Sequence, residues 1–166
     1  LCVGGLPAQS QISNDSSEIA TYYVAYDHNG NIEKYMTDSG AVVAEFQYDA
    51  FGNTTSETIS TNSAGLTSSM FPFRFSIKYF DSETGLTYYG YRYYSPEQGR
   101  GINRDPLGEA GGLNRYGFVE NSPVKEIDPL GLTNTPGDLL IPFLAHGGAS
   151  ALLESLNLPA LPSLTP

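Results

Sequence analysis

Two short segments set the folding problem for this chain. "YDHNGN" at Tyr26–Asn31 returns as "YDAFGN" at Tyr48–Asn53, 22 positions later. In each segment an Asp side chain can tie a turn to its own backbone, while a Gly supplies positive φ. Asp27, Gly30, Asp49 and Gly52 are therefore expected as structural turn residues rather than catalysts. The stretches around them alternate with period two. Tyr22, Val24 and Tyr26 share one face, "NIEKYMTD" follows as a second strand, and Val42, Ala44, Phe46 and Tyr48 oppose Val43, Glu45 and Gln47 in a third. One such unit cannot bury its own face, so units at this period stack or roll into a larger sheet.

The rhythm continues. "FPFRFSIKYFD" predicts a strand with Phe73, Phe75, Ile77 and Tyr79 on one side and Arg74, Ser76 and Lys78 on the other. Seven of the 12 tyrosines fall between Tyr79 and Tyr116, and tyrosine favours strands. Tyr89, Tyr91 and Tyr93 are expected on one face and Tyr88 and Tyr94 on the other, with aromatic pairs across strands. "DSETG" and "SPEQG" supply further turns. Between the units, Thr54–Ser69 is Thr/Ser-rich and weakly patterned, and reads as a flexible excursion or irregular hairpin. With 18 Gly and 11 Pro, the chain is expected to be mainly β and antiparallel.

Composition removes several functions. A net charge of −10 argues against nonspecific nucleic-acid binding, which needs Lys and Arg on phosphates. One cysteine (Cys2) and two histidines (His28, His146) cannot build a Cys/His metal site, so no metal or cofactor is expected. "GEAGGLN" at 108–114 lacks the Gly-Lys-Ser/Thr of a phosphate-binding loop. No apolar run approaches the roughly 20 residues of a membrane helix. "LCVGG" holds no basic segment of a signal peptide. Asn14 and Asn53 fit the glycosylation pattern, but no functional glycan is expected. Arg92, Arg100 and Arg115 are expected to satisfy nearby carboxylates or carbonyls.

One tetrad occurs twice. Asp-Pro-Leu-Gly stands at Asp105–Gly108 and again at Asp128–Gly131, with 19 residues between the copies. Pro106 and Pro129 fix the local φ, and Gly108 and Gly131 permit turns that a Cβ would hinder. As architecture, these are two turns that stabilise a compact cap. As chemistry, they bring two carboxylates to one place. Two close Asp groups cannot both ionise cheaply, so one keeps its proton and polarises a carbonyl while the other activates water. Arg104 would position Asp105 or compensate charge. Both readings stay open at this level.

The segments "YDHNGN" and "YDAFGN" resemble the tyrosine–aspartate (YD) repeats of the bacterial rearrangement-hotspot (RHS) proteins. "FRFSIKYFDSETGLTYYGYRYYSPEQGRGINRDPLGEAGGLNRYGFVENSPVKEIDPLGL", Phe73–Leu132, resembles the RHS repeat-associated core domain over its whole length. The resemblance implies a lead-in at 1–19, two repeats and the Ser/Thr-rich excursion at 20–69, the core domain at 70–132 and a variable tail at 133–166. It also implies a larger exported parent, secreted or at the bacterial surface, whose many upstream repeats form a shell around a toxin or effector segment. The core domain would plug one end. In several relatives it cuts its own chain after the second Asp-Pro-x-Gly-Leu, which here is the Leu132–Thr133 bond, with Asp105, Asp128 and Arg104 as the motif's charged residues. The partners so implied are the upstream repeats, the chain's own tail as cargo or substrate, and an immunity protein or secretion-system component. The alternatives are a non-enzymatic cap or surface module, and a truncated remnant of a larger protein. The 34-residue tail has five prolines and no Lys or Arg, with a short helix expected over "GASALLESLNL" behind Ser150.

Overall fold

A computed structural model describes residues 12–13, 19–61, 65–132 and 135–136. The strands are β1 (Ile12–Ser13), β2 (Ile19–Ala20), β3 (Tyr23–Tyr26), β4 (Ile32–Met36), β5 (Val42–Tyr48), β6 (Thr54–Ile59), β7 (Tyr79–Asp81), β8 (Leu86–Tyr88), β9 (Tyr93–Ser95), β10 (Arg100–Gly101), β11 (Glu126–Ile127) and β12 (Thr135–Pro136). Every pairing is antiparallel and the only helical pieces among the described residues are short 3-10 turns. Two four-stranded sheets dominate, β3-β4-β5-β6 and β7-β8-β9-β10. The mainly β expectation holds. The tail helix, His146, Cys2 and Asn14 lie outside the described residues.

Both Asp-x-x-Gly-Asn segments make the same turn. Asp27 Oδ1 accepts from the Asn29 and Asn31 amides at 2.9 Å, and Oδ2 accepts from Asn31 Nδ2 at 2.8 Å. Asp49 repeats this on the Phe51 and Asn53 amides and on Asn53 Nδ2. Gly30 and Gly52 take φ of 79° and 87°. The same Asn53 Nδ2 donates to Pro96 O at 3.1 Å, which ties this turn to the second sheet.

The first sheet buries Tyr22, Ile32, Tyr35, Val43, Ala44, Phe46 and Phe71, with Val24, Tyr26 and Tyr48 packed against them. Ala44 and Phe46 point inward as their alternation predicts, and Tyr48 follows. Val42 does not: it is exposed while Val43 is buried. The register with β4 slips between Tyr35 and Met36, and the extra residue reverses the faces at the strand's start. The Ser/Thr-rich stretch, expected as a flexible excursion or an irregular hairpin, begins with a strand. Thr54–Ile59 is the sheet's edge strand, paired from Ala44↔Ile59 to Tyr48↔Thr54. Five of its six residues are exposed, so no apolar alternation advertised it.

The segment expected as the clearest strand is a crossover. Phe75–Ile77 forms a 3-10 turn in which Ser76 and Ile77 both have φ of 53°. Phe71 enters the first core and Phe75 the second, which also holds Tyr89, Tyr94, Phe118 and Val119. Arg74, expected on the face opposite the aromatics, is buried beside the first core. Its Nε donates to Phe71 O at 3.0 Å, Nη1 pairs with Glu57 at 3.3 Å, and its guanidinium lies 4.4 Å over the Phe46 ring. Two apolar anchors pulling to different cores override the period-two pattern. The tyrosine faces change too. Gly90, with φ of 95°, opens a tight reversal closed by Tyr89 N on Arg92 O at 2.9 Å. Tyr89 and Tyr94 therefore face the core together, and Tyr88 and Tyr93 face outward together.

Gly52 tests this arrangement. A Cβ there would lie 2.6 Å from the Phe75 ring in addition to the φ of +87°, whereas at Gly40 (φ +83°) it would meet nothing within 4 Å. Gly52→Ala should cost about 3 kcal/mol by chemical denaturation, from overpacking plus left-handed strain, and Gly40→Ala only about 1 kcal/mol.

Candidate functional site

The two Asp-Pro-Leu-Gly turns meet around Arg92. Asp105 follows β10 and Asp128 follows β11, while Arg92 comes from the reversal between β8 and β9. Arg92 Nη1 stands 3.2 Å from Asp105 Oδ2, and Nη2 stands 2.9 Å from Asp128 Oδ2. All three side chains are at most 7% exposed. The sequence singled out both acids. It assigned their cation to Arg104, which is exposed; the guanidinium between the carboxylates belongs to Arg92. The signal for Arg92 was its place in the tyrosine-rich reversal, yet nothing in that local pattern distinguishes it from Arg100, which stacks on Tyr116. Arg115 pairs with Glu109.

The two tetrads are chemically unequal. Asp128 Oδ1 collects the amides of Leu130, Gly131 and Leu132 at 3.3, 2.7 and 2.9 Å. Pro129 is buried and Leu132 has no exposed surface. Gly131 takes φ of +77°, and a Cβ on it would come within 3.1 Å of Tyr89 Cβ and 3.2 Å of the Arg92 amide. Glycine is required there by contact as well as by conformation. The first tetrad sits nearer the surface. Asp105 Oδ1 accepts the Leu107 amide at 2.8 Å, Gly108 (φ +61°) donates to Asp105 O at 3.0 Å, and Pro106 is exposed.

Asp105 also lines an open cleft of about 540 Å³ together with Arg92, Arg100, Phe118, Asn121 and Leu132. Asp128 lines a separate, much smaller pocket, beside Tyr89, Tyr94 and Arg92. Burial raises the Asp105 carboxyl above its ordinary range; the Leu107 amide and Arg92 pull it back, and Asp128 adds to the rise. Lys78, which sequence reasoning placed only on a strand face, donates to Pro129 O at 2.5 Å and lies over the Tyr89 ring. Burial lowers its pKa, against the pull of Asp128. Tyr89 donates to Ser76 Oγ at 3.1 Å, and burial drives its pKa well up.

The chemistry available is that of a carboxyl group on a solvent cleft, a cation fixed between two acids, and a chain segment held by its amides. Thr133 lies outside the described residues. Among the described residues, no group of three or more His, Cys, Asp or Glu could hold a metal ion, and no helix is long and apolar enough to cross a membrane.

No family model matches the chain. Among curated proteins, the toxin protein Tse5 of Pseudomonas aeruginosa is 44% identical over 80 residues, covering 48% of this chain and 6% of that protein. Double-stranded DNA deaminase toxin A of Burkholderia cenocepacia is 36% identical over 111 residues, covering 66% of this chain and 7% of its own length. Among solved structures, TcdB2-TccC3 superposes with a TM-score of 0.63 at 34% identity, over 73% of this chain and 6% of that one. The chain thus spans less than a tenth of each of these relatives.

The clamp itself is testable. Arg92→Met leaves two buried carboxylates without their cation and should cost about 3–5 kcal/mol in urea unfolding. Arg104→Met, on the surface, should leave the midpoint almost unchanged.

Proposed function

We propose that this chain, which belongs to the bacterial RHS/YD-repeat family, is the C-terminal core module of a larger exported toxin or effector, secreted or displayed at the cell surface, and that it cuts its own chain after Leu132. In this reading 20–69 are the last repeats of a shell, 70–132 are the plug, and 133–166 are the variable tail. Relatives named as a DNA deaminase toxin and as a tRNA nuclease share the matched region despite their different activities. That supports a common module joined to interchangeable effectors.

The observation that carries the cutting step is the hold on Leu132. Asp128 grips the amides of Leu130, Gly131 and Leu132, and Leu132 lines the same cleft as Asp105. The target bond is delivered covalently, which removes the entropic cost of a bimolecular encounter. Asp105 then acts as the base. It takes a proton from a cleft water as the water oxygen adds to the Leu132 carbonyl carbon. It returns that proton to the Thr133 nitrogen as the C–N bond breaks, leaving a Leu132 carboxylic acid, whose proton is then lost to solvent, and a Thr133 amine. A raised pKa makes Asp105 a stronger base than an ordinary carboxylate, while Arg92 keeps its ionised form accessible. This divides the labour differently from two acids sharing one proton, because a guanidinium lies between them.

The second reading is a non-enzymatic cap, favoured by how completely Asp128 is engaged: Oδ1 on three amides and Oδ2 on Arg92. Asp105→Asn separates the two. In a parent chain carrying upstream repeats, at neutral pH, mass-mapped cutting at Leu132–Thr133 should vanish in Asp105→Asn. Asp128→Asn should lose both cutting and about 3 kcal/mol of stability. Cutting that persists in Asp105→Asn removes Asp105 as the base, and no cutting in the parent leaves the cap. Mapping matters because Asp-Pro bonds are themselves acid-labile.

The pH profile follows from the sign of the shift. A base works only when ionised, so the cutting rate should rise with pH through the Asp105 pKa, above the ordinary 3.8, and then level off. Arg92 lowers that pKa, so in any Arg92→Met chain that still folds the rising limb should move to higher pH. A rate that is flat across this range excludes Asp105 as the base.

A further inference from the structure

The first of the two Asp-x-x-Gly-Asn turns does more than close its own hairpin. Asn31, at its end, is a buried polar residue whose side chain works at both atoms. Nδ2 donates to Asp27 Oδ2 at 2.8 Å, inside the turn. Oδ1 accepts from the Ser76 amide at 2.9 Å, 45 positions along the chain. Asn53, the matching residue of the second turn, reaches outward with Nδ2 instead, to Pro96 O at 3.1 Å. The two turns are alike in themselves and grip different parts of the second half of the chain.

Ser76 stands at the point of strain. It and Ile77 hold φ of 53°, a region that non-glycine residues leave unless their surroundings fix them. The amides of Ile77 and Lys78 close the turn on Arg74 O and Phe75 O at 3.2 and 3.0 Å. The Ser76 amide points out of it, to Asn31. A second tie runs beside it, Ile32 N on Arg74 O at 3.1 Å. Two contacts then lead from this crossover to the second Asp-Pro-Leu-Gly. Ser76 Oγ accepts from Tyr89, and a Cβ on Gly131 would come within 3.1 Å of Tyr89 Cβ. Lys78, two residues on, donates to Pro129 O at 2.5 Å.

We infer that Asn31 is a positioning residue of the Asp105–Asp128 site, holding the strained crossover that carries Lys78 and the Tyr89 partner to the Asp128 turn. The place calls for an amide. One atom must donate to a carboxylate while another accepts from a backbone N–H, which neither Ala nor an ionised Asp can do. An Asp there would also set carboxylate against carboxylate. The site is then complete only once the adjoining repeat turn has folded, so cutting waits for that turn. The bearing on cutting rests on the self-cutting reading; the hold on the Asp128 turn does not.

Asn31→Ala and Asn53→Ala each remove a bond to the turn's own Asp and one outward bond, so their local damage is matched. Both are made in the parent chain carrying upstream repeats, and urea unfolding checks that each is folded. Hydrogen exchange is read by mass at the Leu130 and Gly131 amides, which precede the Leu132–Thr133 bond and are present whether or not the chain is cut. Asn31→Ala should speed this exchange several-fold under native conditions, and Asn53→Ala should not. Unchanged exchange in Asn31→Ala, or equal gains in both variants, overturns the inference. In a parent that cuts, folded Asn31→Ala should cut at least about tenfold more slowly with the rising limb of its pH profile unmoved, and Asn53→Ala should stay within about twofold of the parent. Cutting at the parent's rate in Asn31→Ala overturns the positioning role. A parent that never cuts sinks the self-cutting reading alone, and exchange still decides the inference. Should Asn31→Ala not fold, Ser76→Ala, which removes only the Tyr89 partner, should give the same faster exchange, and an unchanged rate overturns the inference.

Discussion

Arg92 is the constraint on which the second half of this structure depends. Two carboxylates cannot leave water together unless a cation goes with them, and the fork of one guanidinium reaches both Asp105 and Asp128. That single contact joins three separate pieces of chain: the β8–β9 reversal, the turn after β10 and the turn after β11. The surroundings are shaped to admit it. Gly101 lies against the Arg92 side chain, with a Cβ there 3.7 Å from Arg92 Cδ, and Gly131 lies against the Arg92 backbone. The half-buried Lys78 adds a further cation to the same turn, through Pro129 O.

The clamp also gives two copies of one tetrad different environments. The copy at Asp128 is drawn inward and spends its carboxylate on the amides of the next few residues. The copy at Asp105 closes its turn through the backbone, Gly108 N on Asp105 O, and lines a cleft. Identical sequence therefore yields one anchoring acid and one acid placed where water and chain can meet. Burial, rather than residue type, makes the distinction.

The two sheets are joined by a short crossover rather than by a shared core. Tyr48 packs against both clusters, donates to Ile32 O at 2.8 Å, and has its ring 5.8 Å from Phe75. Arg74 fills the space between Phe46 and Phe80. The strained turn at Ser76 and Ile77 lets the chain place Phe75 in one cluster and Ile77 against the other within two residues. Strain of this kind persists only where packing on both sides over-determines it.

Much of the local structure was legible in the sequence because it is decided within a few residues. The Asp27 and Asp49 turns, β3 to β5 and the glycine turns all follow from side chains bonding their own neighbourhood or from alternation against one core. What misled was equally physical. Thr54–Ile59 hides as a strand because an edge buries little. Phe73–Tyr79 mimics a strand although two cores compete for its aromatics. Arg104 attracted the cation's role by adjacency in sequence. The turns and the mainly β class were determined by the sequence alone, since φ preference and period are local properties. Only the tertiary structure could choose Arg92 over its neighbours and make the two Asp-Pro-Leu-Gly turns unequal, because both depend on which distant segments share a desolvated space.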